Sequence, residues 1–259
     1  MRIVAIDWSG AKHGARKKIW AAEFRDNEPV PELVTDRDRA EIGDYLVRAA
    51  HDTPEMVVGL DFAFSFPSWF VETQASSIHE LWAKAAQDGE RWLTECKRPF
   101  WGRKNVTRCD LGQKSHFRRT EEQSQSIGGI RPKSVFQING GGAVGTGSIR
   151  GMAILHRLSA QFSIWPFDAT SWPKIIEIWP RALTDKIRKS NRDERKNYLS
   201  QNYPWVPSSW RQAAEHTEDA FDAVVSACVM QMHKDAISSL KAIGDPIIQL
   251  EGQIWFPPP

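Results

Sequence analysis

The chain has 259 residues, of which 41% are hydrophobic and 25% are charged, and its formal net charge is +2. This composition is typical of a soluble globular protein, the length allows one large domain or two small ones, and no apolar run approaches the roughly 20 residues that span a bilayer. Three cysteines without paired spacing, and a first strand with no signal-type segment before it, predict a cytoplasmic protein without disulfides.

The first predicted strand, Arg2–Asp7, is a continuous apolar run that ends in a carboxylate. Such a run is typical of a central strand that is covered on both faces. Asp7 either caps the turn that follows, through Ser9 and Gly10, or has a functional reason for its place at a strand end. Strands over Lys17–Arg25 and Val30–Thr35 follow after short connections, which predicts an antiparallel meander.

A helix is predicted over Arg39–His51, with Asp36 or Asp38 as its N-cap. The next strand, Met56–Leu60, delivers a second carboxylate, Asp61. Because a helix precedes it, this strand is expected to lie parallel to the first, through a right-handed crossover.

The segment from Pro67 to Pro173 departs from this pattern and is predicted to be an insertion, with a helix over Ser76–Lys97. Between Lys97 and Lys133 there are ten basic and three acidic residues, a local charge of +7. We interpret Arg98–Lys133 as a long loop, and its charge favours a polyanionic partner. Gly140–Gly147 opens a helix that runs through Leu158; without a following Lys-Ser/Thr it is a hinge rather than a nucleotide loop.

The last part of the chain repeats the pairing of strand and carboxylate, with Glu177 in the strand Lys174–Pro180. A late helix carries Asp219 and Asp222, three residues apart and therefore on one face. The remaining predicted elements are polar helical segments over Arg181–Lys189 and Asp193–Asn202, the late helix Glu218–Lys234 and a terminal strand within Ile247–Phe256.

Parallel strands place their carboxyl ends at one edge of a sheet, so Asp7 and Asp61 are expected to be neighbours, joined there by Asp219 and Asp222. Four carboxylates in one cleft repel each other unless cations lie among them, and oxygen ligands select Mg²⁺ or Mn²⁺. Two such ions about 4 Å apart activate a water and stabilise the leaving oxygen of a phosphodiester. The basic loop would supply phosphate contacts.

The order of these elements resembles the ribonuclease H-like superfamily. The segments IVAIDWSGA, VVGLDFAFSFP, IIEIWPRAL, HTEDAFDAVVSACV and EGQIWFP resemble the DUF429 family of predicted nucleases, and EDAFDAVVSA is also similar to the Asp-x-x-Asp-Ala helix of RuvC-type resolvases. The resemblance implies one α/β domain over residues 1–259, with a ribonuclease H-like five-stranded mixed sheet (order 3-2-1-4-5), helices on both faces and an insertion at residues 67–173.

The resemblance further implies a Mg²⁺- or Mn²⁺-dependent nuclease that hydrolyses DNA or RNA by a two-metal-ion mechanism. Asp7, Asp61, Asp219 and Asp222 fall on its metal-ligand positions, and Glu177 falls on a further acidic position that we count as catalytic. The second strand carries Asp61 where resolvases have Glu, which shortens the reach of that ligand.

Seven further residues are candidates for contact with substrate, namely Ser9, Lys12, Arg103, Lys104, Arg118, Arg119 and His216. Several alternatives stay open. Glu177 points to solvent if its strand is an outer one. Independently of this, the basic loop is alternatively a protein-binding or disordered surface instead of a nucleic-acid groove. The whole chain is alternatively a non-catalytic nucleic-acid-binding or scaffolding module, or a phosphotransferase or ATPase of the actin-like fold.

Overall fold

A mixed sheet of six strands, covered by helices on both faces, forms the centre of the computed structural model, which describes residues 1–258. The strand order is β3-β2-β1-β4-β6-β5; β1 pairs antiparallel with β2 and parallel with β4, and β6 pairs parallel with β4 and β5. The strands are β1 (Arg2–Asp7), β2 (Trp20–Arg25), β3 (Glu28–Pro29), β4 (Met56–Leu60), β5 (Ser163–Ile164) and β6 (Lys174–Glu177). The prediction of an α/β fold with a mixed sheet is confirmed.

Eleven α-helices lie in residues 1–258, and none of them is long and apolar enough to cross a membrane. They are α1 (Arg39–Asp52), α2 (Ser68–Gln74), α3 (Ile78–Glu95), α4 (Arg119–Gln123), α5 (Gly145–Leu158), α6 (Pro180–Leu183), α7 (Arg192–Asn202), α8 (Ser208–His216), α9 (Glu218–Met232), α10 (Lys234–Ser238) and α11 (Pro246–Glu251).

Two hydrophobic cores lie on opposite faces of the sheet, because successive side chains of a strand point to opposite sides. On β1, Val4 and Ile6 belong to the core that α1, α3 and α5 cover. Ile3 and Ala5 belong to the core that α7, α8 and α9 cover. All six residues of β1 are buried, as predicted for a central strand.

The helix after the meander follows the sequence prediction, and its N-cap is Asp38. The Asp38 carboxylate accepts a hydrogen bond from the Glu41 backbone N–H at 3.0 Å, and the Glu41 carboxylate accepts one from the Asp38 N–H at 2.8 Å. This reciprocal pair is a capping box, which satisfies donors that a helix start leaves free.

The number of strands is larger than the five predicted. The additional strand, β5, has two residues inside the predicted insertion, too few to produce a periodic pattern. The predicted strand over Val30–Thr35 is wrong: β3 ends at Pro29, and Val34 makes only an isolated bridge to Ala21. Pro31 lies within the predicted strand and has no N–H to donate to a ladder.

Three predictions for the C-terminal third also differ from the structure. Residues Ile247–Phe256 do not form a strand; they contain α11, which Asp245 caps through bonds from the N–H groups of residues 247 and 248. Only Ile254 bridges to the sheet, at Glu177. The predicted helix over Arg181–Lys189 is reduced to α6, while α8 forms where no helix was predicted.

Candidate functional site

A cleft of about 570 Å³ lies at the carboxyl ends of β1, β4 and β6. Its walls include the turn at Ser9–Ala11, the segment Asp61–Ala63 after β4, and the glycine-rich loop that leads into α5. This is the edge at which open α/β sheets bind ligands.

Asp7 and Asp61 leave two adjacent parallel strands toward the same face of the sheet. Asp7 follows Ile3 and Ala5 in the alternation of β1, and these two pack in the core beneath α9. Asp61 continues the alternation of Val57 in the same way, and its backbone N–H donates to the Ile6 carbonyl at 3.1 Å. The hydrogen-bonded pairing of the strands therefore brings the two aspartates together, as predicted.

The late helix α9 contributes the other two aspartates. It begins after Thr217, whose hydroxyl accepts a hydrogen bond from the Ala220 N–H at 3.1 Å, and it packs across β1, β2 and β4. It crosses β4 closely, since a Cβ on Gly59 would lie 2.6 Å from the Met230 sulfur. This close crossing lets the first turns of α9 present Asp219 and Asp222 toward the ends of the strands.

The four aspartates form one electrostatic cluster. Burial raises the pKa of Asp7 well above its usual range, and the charges of Asp61, Asp222 and Asp219 raise it further. Burial, followed by the charge of Asp222, raises the pKa of Asp61 to about 8. Burial also raises the pKa values of Asp222 and Asp219. Among residues 1–258, no three His, Cys, Asp or Glu side chains lie close enough together to hold a metal ion.

A lysine reaches into this aspartate cluster. The Lys189 Nζ lies 2.6 Å from the Asp222 Oδ1, and the lysine side chain is only 7% exposed. Its charge opposes the rise in pKa of Asp7, Asp61 and Asp222. Lys189 thus acts as an internal cation for three of the four carboxylates.

The segment that carries Lys189 is held by Arg195 on α7. The guanidinium of Arg195 donates to the Lys189 carbonyl and to the carbonyls of Ala214 (2.8 Å) and Glu215 (2.6 Å) on α8. The sequence analysis missed Lys189 because it assigned the residue to a polar helix with an ordinary solvated face. Asn191, which caps α7, is the sequence signal that a helix starts only after this lysine.

The residue types of the cluster suit a hard divalent cation, although their spacing in this structure is too wide to hold one. Its four side chains are carboxylates, which Mg²⁺ and Mn²⁺ prefer, and one ammonium compensates only part of their charge. The Asp222 Oδ1 is buried against the Lys189 ammonium, so a metal ion would have to displace this lysine to reach that oxygen.

Glu177 has different surroundings. The alternation of β6 places it on the side of Ile175, opposite to the α9 face. There it accepts a bidentate pair from Arg118, with Oε2–Nη1 at 2.8 Å and Oε1–Nη2 at 2.5 Å, and a bond from the Phe64 N–H at 3.0 Å. Glu177 is 2% exposed, so the alternative that it points to solvent is wrong.

Arg118 is the centre of a buried ionic network. It is 1% exposed, and it also pairs with Glu121 (Nε–Oε1 3.0 Å) and donates to the Glu251 carbonyl. Burial alone would lower the pKa of this guanidinium, but Glu177 and Glu121 outweigh it and raise the pKa. Burial raises the pKa of Glu121 to about 7, although Arg118 opposes the rise.

Of the seven predicted substrate contacts, Ser9 and Arg118 line the cleft at the strand ends. The other five lie elsewhere. Arg119 pairs with Asp245 at 2.7 Å, and Lys12 lines a second cleft. The remaining three, Arg103, Lys104 and His216, are exposed and are not among the lining residues.

Two exposed lysines that the sequence analysis did not select do line the cleft, Lys18 and Lys133. The charge of Lys18 opposes the rise in pKa of Asp219, which shows that this lysine faces the aspartates. Lys133 belongs to the basic segment, as does Arg118, so this segment contributes two basic residues to the lining of the cleft.

The glycine-rich loop packs closely against the turn after β1. A Cβ on Gly10 would lie 2.3 Å from the Gly147 backbone nitrogen, and the Trp8 indole N–H donates to the Gly147 carbonyl at 3.2 Å. The loop is therefore a wall of the cleft, in direct backbone contact with the segment that follows Asp7.

Comparison of the chain with models of protein families, with curated proteins and with solved structures gave no match.

Proposed function

We propose that this protein is a Mg²⁺- or Mn²⁺-dependent nuclease with a ribonuclease H-like core. The observation that carries the proposal is the convergence of Asp7, Asp61, Asp219 and Asp222 into one cluster. The other three aspartates raise the pKa of Asp7, and Asp222 raises the pKa values of Asp61 and Asp219. The strand order, read without the short edge strand β5, also agrees with the order 3-2-1-4-5 that the resemblance implies.

The chain's own residues have distinct roles in this proposal. The four aspartates would have to close around the cations, since they are too far apart to hold a metal ion as they stand, and Lys18 and Lys133 would hold the phosphate backbone in the cleft. Cations bound there would supply a water activated for attack and charge stabilisation at the leaving oxygen. Trp8 lines the cleft as part of its apolar wall, with its indole N–H bound to the Gly147 carbonyl and its ring packed against Phe62.

A second candidate function is favoured by one observation. Because Lys189 already pairs with Asp222, the cluster has a cation of its own, as expected of a nucleic-acid-binding module without metal chemistry. That module would bind nucleic acid through the same lysines in a salt-sensitive manner, and it would not cleave.

Cation binding and cleavage separate the two candidates. Thermal unfolding is measured against MnCl₂ and MgCl₂, and cleavage is measured on single- and double-stranded DNA and RNA, for the wild type and for Asp7→Asn and Asp222→Asn. The nuclease requires cation-dependent stabilisation and cleavage, with a loss of about 100-fold or more in each variant. Asp52→Asn, whose side chain lies on the surface, is the matched control.

Binding of nucleic acid that survives in the aspartate variants, with no cation effect and no cleavage by the wild type, would establish the non-catalytic module instead.

A further inference from the structure

A second cleft, of about 610 Å³, lies beyond the turn that follows β1. It is bounded by residues 12–16 and by the start of α1, and its other walls are α3 and α5. Small residues of these two helices, among them Ala85, Gly89 and Ala153, line it and leave room for a ligand. The Ser9–Ala11 turn lines the candidate nuclease cleft, so Lys12, which comes next, links the two clefts along the chain.

Arg39 is a half-buried cation without an acidic partner in this second cleft. Its Nη1 donates to the carbonyls of Ser9 (2.9 Å) and Ala11 (3.0 Å), which are neutral acceptors, and no carboxylate in residues 1–258 forms an ion pair with it. Burial lowers the pKa of Arg39, and the neighbouring charge of Arg150 lowers it further, while the charges of Glu90 and Asp38 oppose this without forming an ion pair with Arg39.

The two carboxylates that line the cleft are already engaged. Asp38 accepts the capping bond from the Glu41 N–H. Glu90 is held by both Nε (2.6 Å) and Nη2 (2.9 Å) of Arg150. Arg39 and the exposed Lys12 are therefore left with positive charge that no side chain of residues 1–258 neutralises by an ion pair.

Arg39 is the first residue of α1, a position at which the helix dipole disfavours a cation. The Asp38 and Glu41 carboxylates of the capping box already satisfy donors of this helix end, so a bound anion would mainly relieve the repulsion between Arg39 and Arg150.

We propose that the cleft between α1 and the turn after β1 binds a phosphate group through Arg39 and Lys12. Arg39 holds the carbonyls of Ser9 and Ala11 and Arg150 that of Gly10, so the phosphate binds beside the turn that follows Asp7. The phosphate belongs either to a free anion or to a nucleic acid whose backbone continues from the first cleft; only the second source rests on the proposed nuclease function.

The test uses Lys12→Gln and Arg39→Lys, with Lys196→Gln as the matched control. Lys196 is an exposed lysine on α7, which covers the other face of the sheet. Lys12→Gln removes a charge from an exposed side chain, so it leaves the fold intact even if Arg39→Lys disturbs the turn.

Inorganic phosphate is titrated by calorimetry, and a labelled 20-nucleotide single strand and a 20-base-pair duplex are titrated by fluorescence anisotropy at several salt concentrations. Saturable phosphate binding that weakens about tenfold in both variants identifies a free-anion site. Nucleic-acid binding that weakens in both variants, with a salt slope reduced by about one in Lys12→Gln, which removes a charge, identifies a backbone site.

The proposal is overturned if neither probe distinguishes Lys12→Gln and Arg39→Lys from Lys196→Gln. Failure of the nuclease proposal has a different result: no cleavage by the wild type, whatever these binding measurements show.

Discussion

The Lys189 ammonium and the Asp222 carboxylate lie 2.6 Å apart, within a cluster that holds three further aspartates. The lysine and a divalent cation therefore compete for the same oxygen. One positive charge leaves most of the cluster's negative charge uncompensated, whereas each divalent ion brings two.

Replacing Lys189 by Met tests this competition. We expect the free energy of unfolding without cations to fall by on the order of 3 kcal/mol, because Asp222 loses its ion-pair partner. We expect Mn²⁺ to bind more tightly than in the wild type, since no ammonium has to be displaced. Denaturant unfolding and calorimetric titration with MnCl₂ measure the two quantities, with Lys196→Met as control. Unchanged Mn²⁺ affinity in Lys189→Met would exclude competition.

The pKa of Asp61 predicts how stability depends on pH. The unfolded carboxyl loses its proton near pH 4, whereas the folded one keeps it to about pH 8. The folded state thus binds more protons in this window, and stability falls as the pH rises from 4 to 8. We expect Asp61→Asn to be more stable than the wild type at pH 8, by about 1 to 3 kcal/mol, and nearly equal to it at pH 4.5.

Urea unfolding of both proteins at the two pH values, without divalent cations, measures this difference. A variant that is less stable than the wild type at pH 8 would contradict the electrostatic account. Asp52→Asn, at a surface position, should leave the pH profile of the wild type unchanged.

Variants of the buried Arg118–Glu177 ion pair test whether stability and cation binding depend on different residues. Arg118→Met leaves Glu177 and Glu121 buried without their counter-ion, so we expect a loss on the order of 3 to 5 kcal/mol. Glu177→Gln should also lower the melting temperature but keep most of the Mn²⁺ affinity. Glu177 lines the same cleft as Asp61 and raises its pKa, but both Glu177 oxygens are already bound by Arg118.

Thermal unfolding with and without MnCl₂ distinguishes these effects. The double variant Arg118→Met/Glu177→Gln should recover part of the stability that Arg118→Met loses, since it removes one of the two uncompensated charges. If Glu177→Gln abolishes Mn²⁺ binding in a folded protein, Glu177 is a cation ligand in addition to the four aspartates.

The contact between Gly10 and Gly147 gives a matched pair of variants. A methyl on Gly10 would meet the backbone of residues 146 and 147 at 2.3 to 2.7 Å, so Gly10→Ala should cost about 1 to 3 kcal/mol. A methyl on Gly147 has its nearest neighbour at 3.6 Å, an ordinary contact, and Ala favours the helix by about 0.5 to 1 kcal/mol. Gly147→Ala should therefore be neutral or stabilising in chemical denaturation; equal destabilisation by both would contradict this packing.

The parts of the site that the sequence predicted are those encoded by local patterns. Asp7 and Asp61 each end an apolar run, and the parallel pairing of the two strands places these ends next to each other. Asp219 and Asp222 share a helix face because of their spacing alone.

The parts that the sequence did not predict depend on contacts between distant segments. Lys189 reaches the aspartates from an irregular segment that Arg195 holds, and no periodicity marks it. The sequence did not indicate that Arg118 is buried, because its partner Glu177 is 59 residues away. The many basic residues around Arg118 suggested a surface position instead. Short elements such as β5 and α6 fall below the length at which a pattern can be recognised.

Through the ionic network of Arg118, the long segment between β4 and β6 is tied to the rest of the structure. That segment supplies the guanidinium, the sheet supplies Glu177, and the end of α11 supplies the Glu251 carbonyl. If this segment were deleted to obtain a minimal sheet protein, the Glu177 carboxylate would remain buried in the structure without its counter-ion. The inserted residues are consequently not an accessory module: in any shortened version, residue 177 has to become neutral before the insertion can be lost.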